Sequence, residues 1–188
     1  MSEITNVNTT YLTTTVVTSA LCIIPPDYMH EYINKHRRLY DSAEKRWPPH
    51  INLVFPFISQ ENFPSVKTKL EEAFKIHDVT SFVIHLDTIS YFKQSDKITV
   101  HAKPKFCREL DKIYDIICST LNIEKTRDFV PHMTLGQFDK NNIGIVNELK
   151  VSWGSGICIP VHNLSLVARP TNNRDPDRFV VVSTVNLL

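Results

Sequence analysis

A chain of 188 residues with 42% hydrophobic and 22% charged side chains has the size and composition of one compact folded domain, which excludes a disordered polymer. Its 21 basic and 20 acidic residues leave a formal charge of +1, too balanced for a protein that grips long nucleic acid through many phosphates. The longest apolar stretch, Val16 to Ile24, is interrupted by Thr18 and Ser19 and stops at Pro25-Pro26, too short for a membrane span.

Residues 1–10 are expected to be a flexible tail, since Met1 to Tyr11 is polar and has neither the basic start nor the apolar middle of a secretion signal. Thr13 to Ile24, rich in Thr, Val and Ile, predicts a first strand. Asp27 is placed to cap a helix running to about Tyr40, with Tyr28, Ile33 and Tyr40 on its apolar side. Pro48-Pro49 halts the chain, and His50 to Phe57 predicts a second strand. Val66, Leu70, Ala73 and Phe74 make an apolar stripe on a helix from Pro64 to Ile76.

Phe82 to Phe92 and Ile98 to Lys103 read as a hairpin turned by Lys93-Gln94-Ser95-Asp96. Leu110, Ile113, Tyr114, Ile117 and Leu121 recur at helical spacing and predict a helix over 106–121. A strand over 132–138, a short helix over 142–150 and two strands over 156–169 and 179–188 complete the chain. The order amounts to one unit used approximately twice: strand, helix, histidine strand, helix and two strands. The whole chain, 1–188, is expected to form a single domain of two such lobes.

The chemistry lies in a repeated motif. Pro49-His50-Ile51-Asn52-Leu53 and Pro131-His132-Met133-Thr134-Leu135 both read Pro-His-apolar-polar-Leu, and none of the other six histidines is followed by the same pattern. Alternate side chains of a strand share a face, so His50 pairs with Asn52 and His132 with Thr134 towards a cleft. The intervening Ile51, Leu53, Met133 and Leu135 turn towards a core. One histidine in an alternating strand is ordinarily structural, but packing gives no reason to duplicate one at corresponding places of a repeat. Paired imidazoles suit proton transfer near neutral pH, where each can be charged or neutral.

With its two tetrads His50-Ile51-Asn52-Leu53 and His132-Met133-Thr134-Leu135, the chain resembles the 2H phosphoesterase superfamily, also called 2′-5′ RNA ligase-like or LigT-like proteins. The resemblance spans nearly the whole chain. It implies an α+β fold, bilobal with a pseudo-two-fold axis, in which two antiparallel sheets line a central cleft and helices pack outside. It also implies phosphodiester chemistry on RNA: 2′,3′-cyclic phosphates, 2′-5′ linkages or RNA 3′ ends. Asn52 departs from the Ser or Thr that the family usually has at this place, although its amide can still donate to a phosphate oxygen.

The implied mechanism needs no metal and no cofactor. One of His50 and His132 takes a proton as an oxygen attacks phosphorus, and the other gives one to the departing oxygen, with Thr134 and Asn52 on the non-bridging oxygens. The sequence leaves open which histidine is base and which is acid. Tyr91 and Phe92, Arg46 and Trp47, and Arg169 beside the 170–177 loop are candidate contacts to base or phosphate, each with a plain structural alternative. The expected partner is a short RNA, an RNA end or a nucleotide rather than a long duplex or a membrane. The chain is expected to act as a monomer in the cytoplasm or nucleus.

Two other readings compete. Eight histidines and four cysteines suggest a metal protein, but there is no H-E-x-x-H and no C-x-x-C. Cys22, Cys118 and Cys158 are instead expected to be small buried side chains in a reducing compartment, with Cys107 outside the apolar runs. A catalytically weak or inactive module of the same fold, holding a nucleotide or RNA end, is the second, and Asn52 is its main support.

Overall fold

A computed structural model describes residues 15–169 and 177–188. In chain order they form β1 (Thr15–Val16), β2 (Ser19–Ile23), α1 (Asp27–Tyr40), β3 (Ile51–Val54), β4 (Phe57–Ile58), α2 (Phe63–Ile76), β5 (Phe82–Leu86), β6 (Thr88–Gln94) and β7 (Lys97–Lys103). There follow α3 (Arg108–Leu121), β8 (Met133–Asp139), α4 (Gly144–Trp153), β9 (Ile157–Val161), β10 (Asn163–Ala168) and β11 (Val180–Asn186).

Two antiparallel sheets carry the architecture, one ordered β11-β10-β2-β3 and the other β6-β7-β8. Two short ribbons, β1-β4 and β5-β9, complete the pairing among the described residues. The sheets are built alike. Cys22 lies opposite Asn52 and Ile23 opposite Ile51 in one; His101 lies opposite Thr134 and Ala102 opposite Met133 in the other. Each ladder then skips one residue, so that Leu21 meets Val54 and Val100 meets Gly136. The skipped residues, Leu53 and Leu135, occupy the same place in the two motifs, so the pseudo-two-fold extends to a matching bulge.

The helices follow from their apolar stripes. Leu110, Ile113, Ile117 and Leu121 of α3 are buried in the main core, and the helix stops where Asn122 turns left-handed at φ 53° and its N–H reaches the Cys118 carbonyl. Helix α1 packs on β8, α4 on β6, and α2 on both β11 and α3. The α1–β8 contact depends on Gly136, where an added Cβ would stand 2.4 Å from Cβ of Tyr40.

Most buried apolar side chains form one contiguous cluster. A smaller one, Ala20, Cys22, Val167 and Phe179, packs with Trp47, as strand alternation between Leu21 and Cys22 requires.

Several sequence expectations change. The strand expected over 82–92 breaks at Asp87: β5 leaves to pair with β9, and only β6 forms the hairpin with β7. The strand expected over 156–169 likewise divides at His162, because β9 and β10 belong to different sheets. Gly156, at φ 92°, stands just before β9, where an added Cβ would sit 2.4 Å from the Leu86 carbonyl oxygen. A turn at 17–18 splits the first strand, and a cis Phe55–Pro56 peptide separates β3 from β4. Asp27 starts α1 rather than capping it, Pro26 being the cap residue with no side-chain bond, and Tyr28 is exposed. Helix α4 begins after a 3-10 turn at Lys140–Asn142. Of the cysteines, Cys22 and Cys118 are buried as expected, but Cys158 faces out of β9.

Candidate active site

His50 and His132 each stand one residue before a strand, β3 and β8, at the same end of the two motifs. Both rings are half-buried, and both are held in the same way. His50 Nδ1 lies 2.8 Å from the Pro48 carbonyl, and His132 Nδ1 lies 2.7 Å from the Val130 carbonyl. A carbonyl oxygen only accepts, so Nδ1 carries the proton in both neutral rings and Nε2 is unprotonated. Each histidine is thereby oriented by the peptide two residues before it.

Around His50 the sequence builds a rigid support. Trp47 stacks on its imidazole at 4.5 Å, and Phe179 stacks on Trp47 at 3.5 Å. Two rings nearly parallel to the indole at these distances would overlap on one face, so they lie on opposite faces. Arg169 covers Phe179 at 4.7 Å. Behind the column, the 2%-exposed Arg37 guanidinium is paired with Asp41 at 2.9 Å and donates to the Trp47 carbonyl at 3.0 Å. Asn52 Nδ2 donates to His50 Nε2 at 3.1 Å, while Asn52 Oδ1 is buried without a partner.

Around His132 the surroundings differ. His101, which opposes Thr134 across the ladder, brings a third imidazole to 4.9 Å from His132. Phe92 stacks on His101 at 4.2 Å and presents its edge to His132 at 5.0 Å. His101 is 1% exposed; its Nδ1 reaches the Thr99 carbonyl at 3.4 Å, and its Nε2 is buried without a partner. Thr134 is half-buried in β8, one place beyond Met133.

Burial dominates the electrostatics. It pushes the His50 pKa down to about 4 against the Pro48 hydrogen bond, with the positive charges of Arg37 and His132 adding to the depression. Burial, reinforced by the charge of His132, takes His101 to about 4 as well. Burial also lowers His132, opposed by its hydrogen bond to Val130. The charge of His132 contributes to both of these shifts.

Asn52, Phe55, Phe92 and His132 open on one cavity of about 340 Å³, which continues along Thr126 and Phe129. Asn52 of the first motif and His132 of the second thus line a common cleft, whereas His50 and Thr134 are not among its lining residues.

The other sequence candidates fall outside it. Tyr91 alternates away from Phe92 and lines a separate hollow with Lys93 and Lys97. Arg46 is exposed, and its carbonyl rather than its side chain makes the recorded contact, with the Phe179 N–H at 2.8 Å. Trp47 has both faces covered and is a support rather than a free stacking platform. Arg169 is separated from His50 by Phe179 and Trp47, and the loop beyond it, 170–176, lies outside the described residues.

Sequence reasoning missed His101 and Arg37. Neither has a motif, and only the β7–β8 register and the α1 packing reveal them. Among the described residues no group of three His, Cys, Asp or Glu side chains converges as a metal site. No helix there is long and apolar enough to cross a membrane.

The 2′-5′ RNA ligase superfamily model matches residues 25–173 of the chain. This protein belongs to the 2′-5′ RNA ligase superfamily. A Geobacillus kaustophilus protein of the name "Putative phosphoesterase" is 29% identical over 119 residues, covering 62% of this chain and 67% of the relative. A Staphylococcus haemolyticus protein of the same description is 25% identical over 119 residues, 62% of this chain and 69% of its own. Family and relatives together support a phosphoesterase. The superfamily fold is evident in Escherichia coli LigT complexed with 3′-AMP, at a TM-score of 0.60 and 16% identity over 90% of this chain and 97% of LigT. The Thermus thermophilus protein TT0787 follows at 0.55 and 13% over 90% and 97%.

Proposed function

We propose that the protein is a metal-independent phosphodiesterase acting on RNA-type phosphodiesters, a 2′,3′-cyclic phosphate or a 2′-5′ linkage, with His50 and His132 as its acid/base pair. The observation that carries this reading is the matched anchoring of the two rings, each with Nδ1–H on a carbonyl and Nε2 left unprotonated. Kinship with phosphoesterases and the LigT-like fold support the substrate class, since LigT has been crystallised with 3′-AMP and with ATP.

In the proposed step, a neutral imidazole takes a proton from water as its oxygen bonds to phosphorus. The opposite, protonated imidazole gives its proton to the ribose oxygen as the P–O bond breaks. The proton count balances, and the pair ends with its charge exchanged. Each transfer is worth about two to four orders of magnitude in rate. Thr134 and Asn52 hold the non-bridging oxygens. Asn52 has a second use: a half-turn of its amide presents the unpartnered Oδ1 to His50 Nε2 and so suits the protonated ring.

One observation favours the alternative of a nucleotide- or RNA-end-binding module. The Asn52 amide engages the lone pair of His50 Nε2, which a general base needs free. The deciding experiment incubates the protein and EDTA with nucleoside 2′,3′-cyclic phosphates and with 2′-5′-linked oligoadenylate, separating products by chromatography. Hydrolysis that disappears in both His50→Ala and His132→Ala supports catalysis by the pair. Turnover that persists at the parent rate in those variants refutes it. Folded protein that binds the nucleotides without turning them over supports the module.

A further inference from the structure

Besides residues of the two motifs, the cleft is lined by the segment that follows α3, whose chemistry differs from that of the imidazoles. Glu124, Thr126, Asp128, Phe129 and Val130 line it, along with Tyr114 of α3. Two acidic residues, Glu124 and Asp128, are thus part of the cavity lining, and no lysine or arginine is among its lining residues. The intervening Lys125 is held elsewhere, by Asp115 at 2.7 Å. This wall is fixed in place: Phe129 stacks on Tyr114 at 3.9 Å and 7°, and the Tyr114 hydroxyl accepts from the Thr126 N–H at 2.9 Å.

Such a wall repels a phosphate and suits a neutral group that donates hydrogen bonds. A phosphate seated between the imidazoles sends its nucleoside one way or the other along the cleft, and the carboxylates decide which moiety enters here. The cavity volume, about 340 Å³, lies within the range of small-ligand sites, and Phe55 and Phe92 add aromatic surface to its lining. Among the bases, guanine alone offers two adjacent donors, N1–H and the N2 amino group, to a carboxylate. Adenine and cytosine set one amino group beside an acceptor nitrogen, and uracil flanks its single N–H with two carbonyls.

We propose that Glu124 and Asp128 make this part of the cleft a guanine-selecting base site. The proposal rests on the reading of the cleft as a nucleotide phosphodiesterase site and adds the identity of the base. A bidentate base contact discriminates by about tenfold or more.

The test measures kcat/KM for the 2′,3′-cyclic phosphates of guanosine, adenosine, cytidine and uridine. In parallel, calorimetry measures binding of 3′-GMP and 3′-UMP to the full chain. Both are repeated with Glu124→Ala, Asp128→Ala and the double variant, whose exposed positions leave the fold unburdened, as thermal unfolding would verify. The expected result is a guanine-over-uracil ratio of about tenfold that falls to about unity in the double variant. A parent protein that treats the bases alike, or a preference that survives removal of both carboxylates, overturns the proposal. Guanine-selective binding without turnover supports the base site while counting against the catalytic reading. Turnover of all four bases at one rate does the reverse.

Discussion

Replacing His101 tests the electrostatics of the cleft through stability rather than activity. In the unfolded chain this histidine takes up its proton near 6.5; in the fold it does so only near about 4. Between those values the unfolded state holds more protons, so stability is flat above neutrality and falls as pH drops from about 6.5 towards 4. At about pH 4.5 the loss from this one group amounts to about 2.5 kcal/mol relative to pH 7.5. Burial of the ring at 1% exposure leaves little solvent to screen the effect. His101→Phe keeps a ring against Phe92 but cannot titrate, and His101→Gln stays polar and cannot titrate either. Urea unfolding followed by tryptophan fluorescence at pH 7.5, 6.5, 5.5 and 4.5 gives the four stabilities for each protein. Packing changes shift a variant equally at every pH, whereas loss of the titration flattens its acid slope by about 2.5 kcal/mol. Parallel curves for wild type and both variants would refute the assignment of a depressed, buried imidazole.

Other consequences follow from neighbouring contacts. Because burial depresses both His50 and His132, the one-proton form of the proposed pair is populated on the acid side. The pH profile of kcat/KM should therefore peak below 6.5 and fall towards pH 8; a profile still rising at pH 8 would contradict this. Asp41→Asn leaves the buried Arg37 without its counter-charge and should cost about 3–5 kcal/mol, read from the urea midpoint. Gly136→Ala drives a methyl into Tyr40 and should cost about 1–3 kcal/mol, seen as a lowered Tm with unchanged secondary structure by circular dichroism.

What could be read in the sequence was whatever local pattern determines. The periodicity of α3 and the two Pro-His-apolar-polar-Leu motifs are properties of a few consecutive residues, and both are recognisable in the structure. Pairing partners are not local. Phe82 to Phe92 is one apolar-rich run, yet it serves two sheets, because β5 finds its partner seventy-odd residues later in β9. His101 carries no flanking signature, since what brings it to His132 is the register of β7 on β8. Arg37 would pass as a solvated charge on a helix; only the Asp41 carboxylate and the Trp47 carbonyl explain why it is buried. Trp47 was visible as a residue before the first motif and Arg169 as one beside the 170–177 loop, but the Phe179 ring that lies between them comes from the last segment of the chain.

The repeat has a further property that chain order conceals. Strand β6, from the first half, pairs with β7 of the second, and β10, from the second half, pairs with β2 of the first. The four-stranded sheet thus takes two strands from each half of the chain, and the three-stranded sheet takes one from the first half and two from the second, so neither sheet is built from one half alone. Within this shared frame the lobes diverge at one register position, where Cys22 stands opposite Asn52 and His101 stands opposite Thr134. Burial raises the Cys22 thiol far above its ordinary range and keeps it neutral, whereas its counterpart sets a second imidazole beside His132. Two rings anchored alike are consequently given unlike surroundings: an indole face and an amide at His50, a phenyl edge and a second imidazole at His132. Such a difference is what an acid/base pair requires, because two imidazoles in identical surroundings would have no preference for which of them holds the proton.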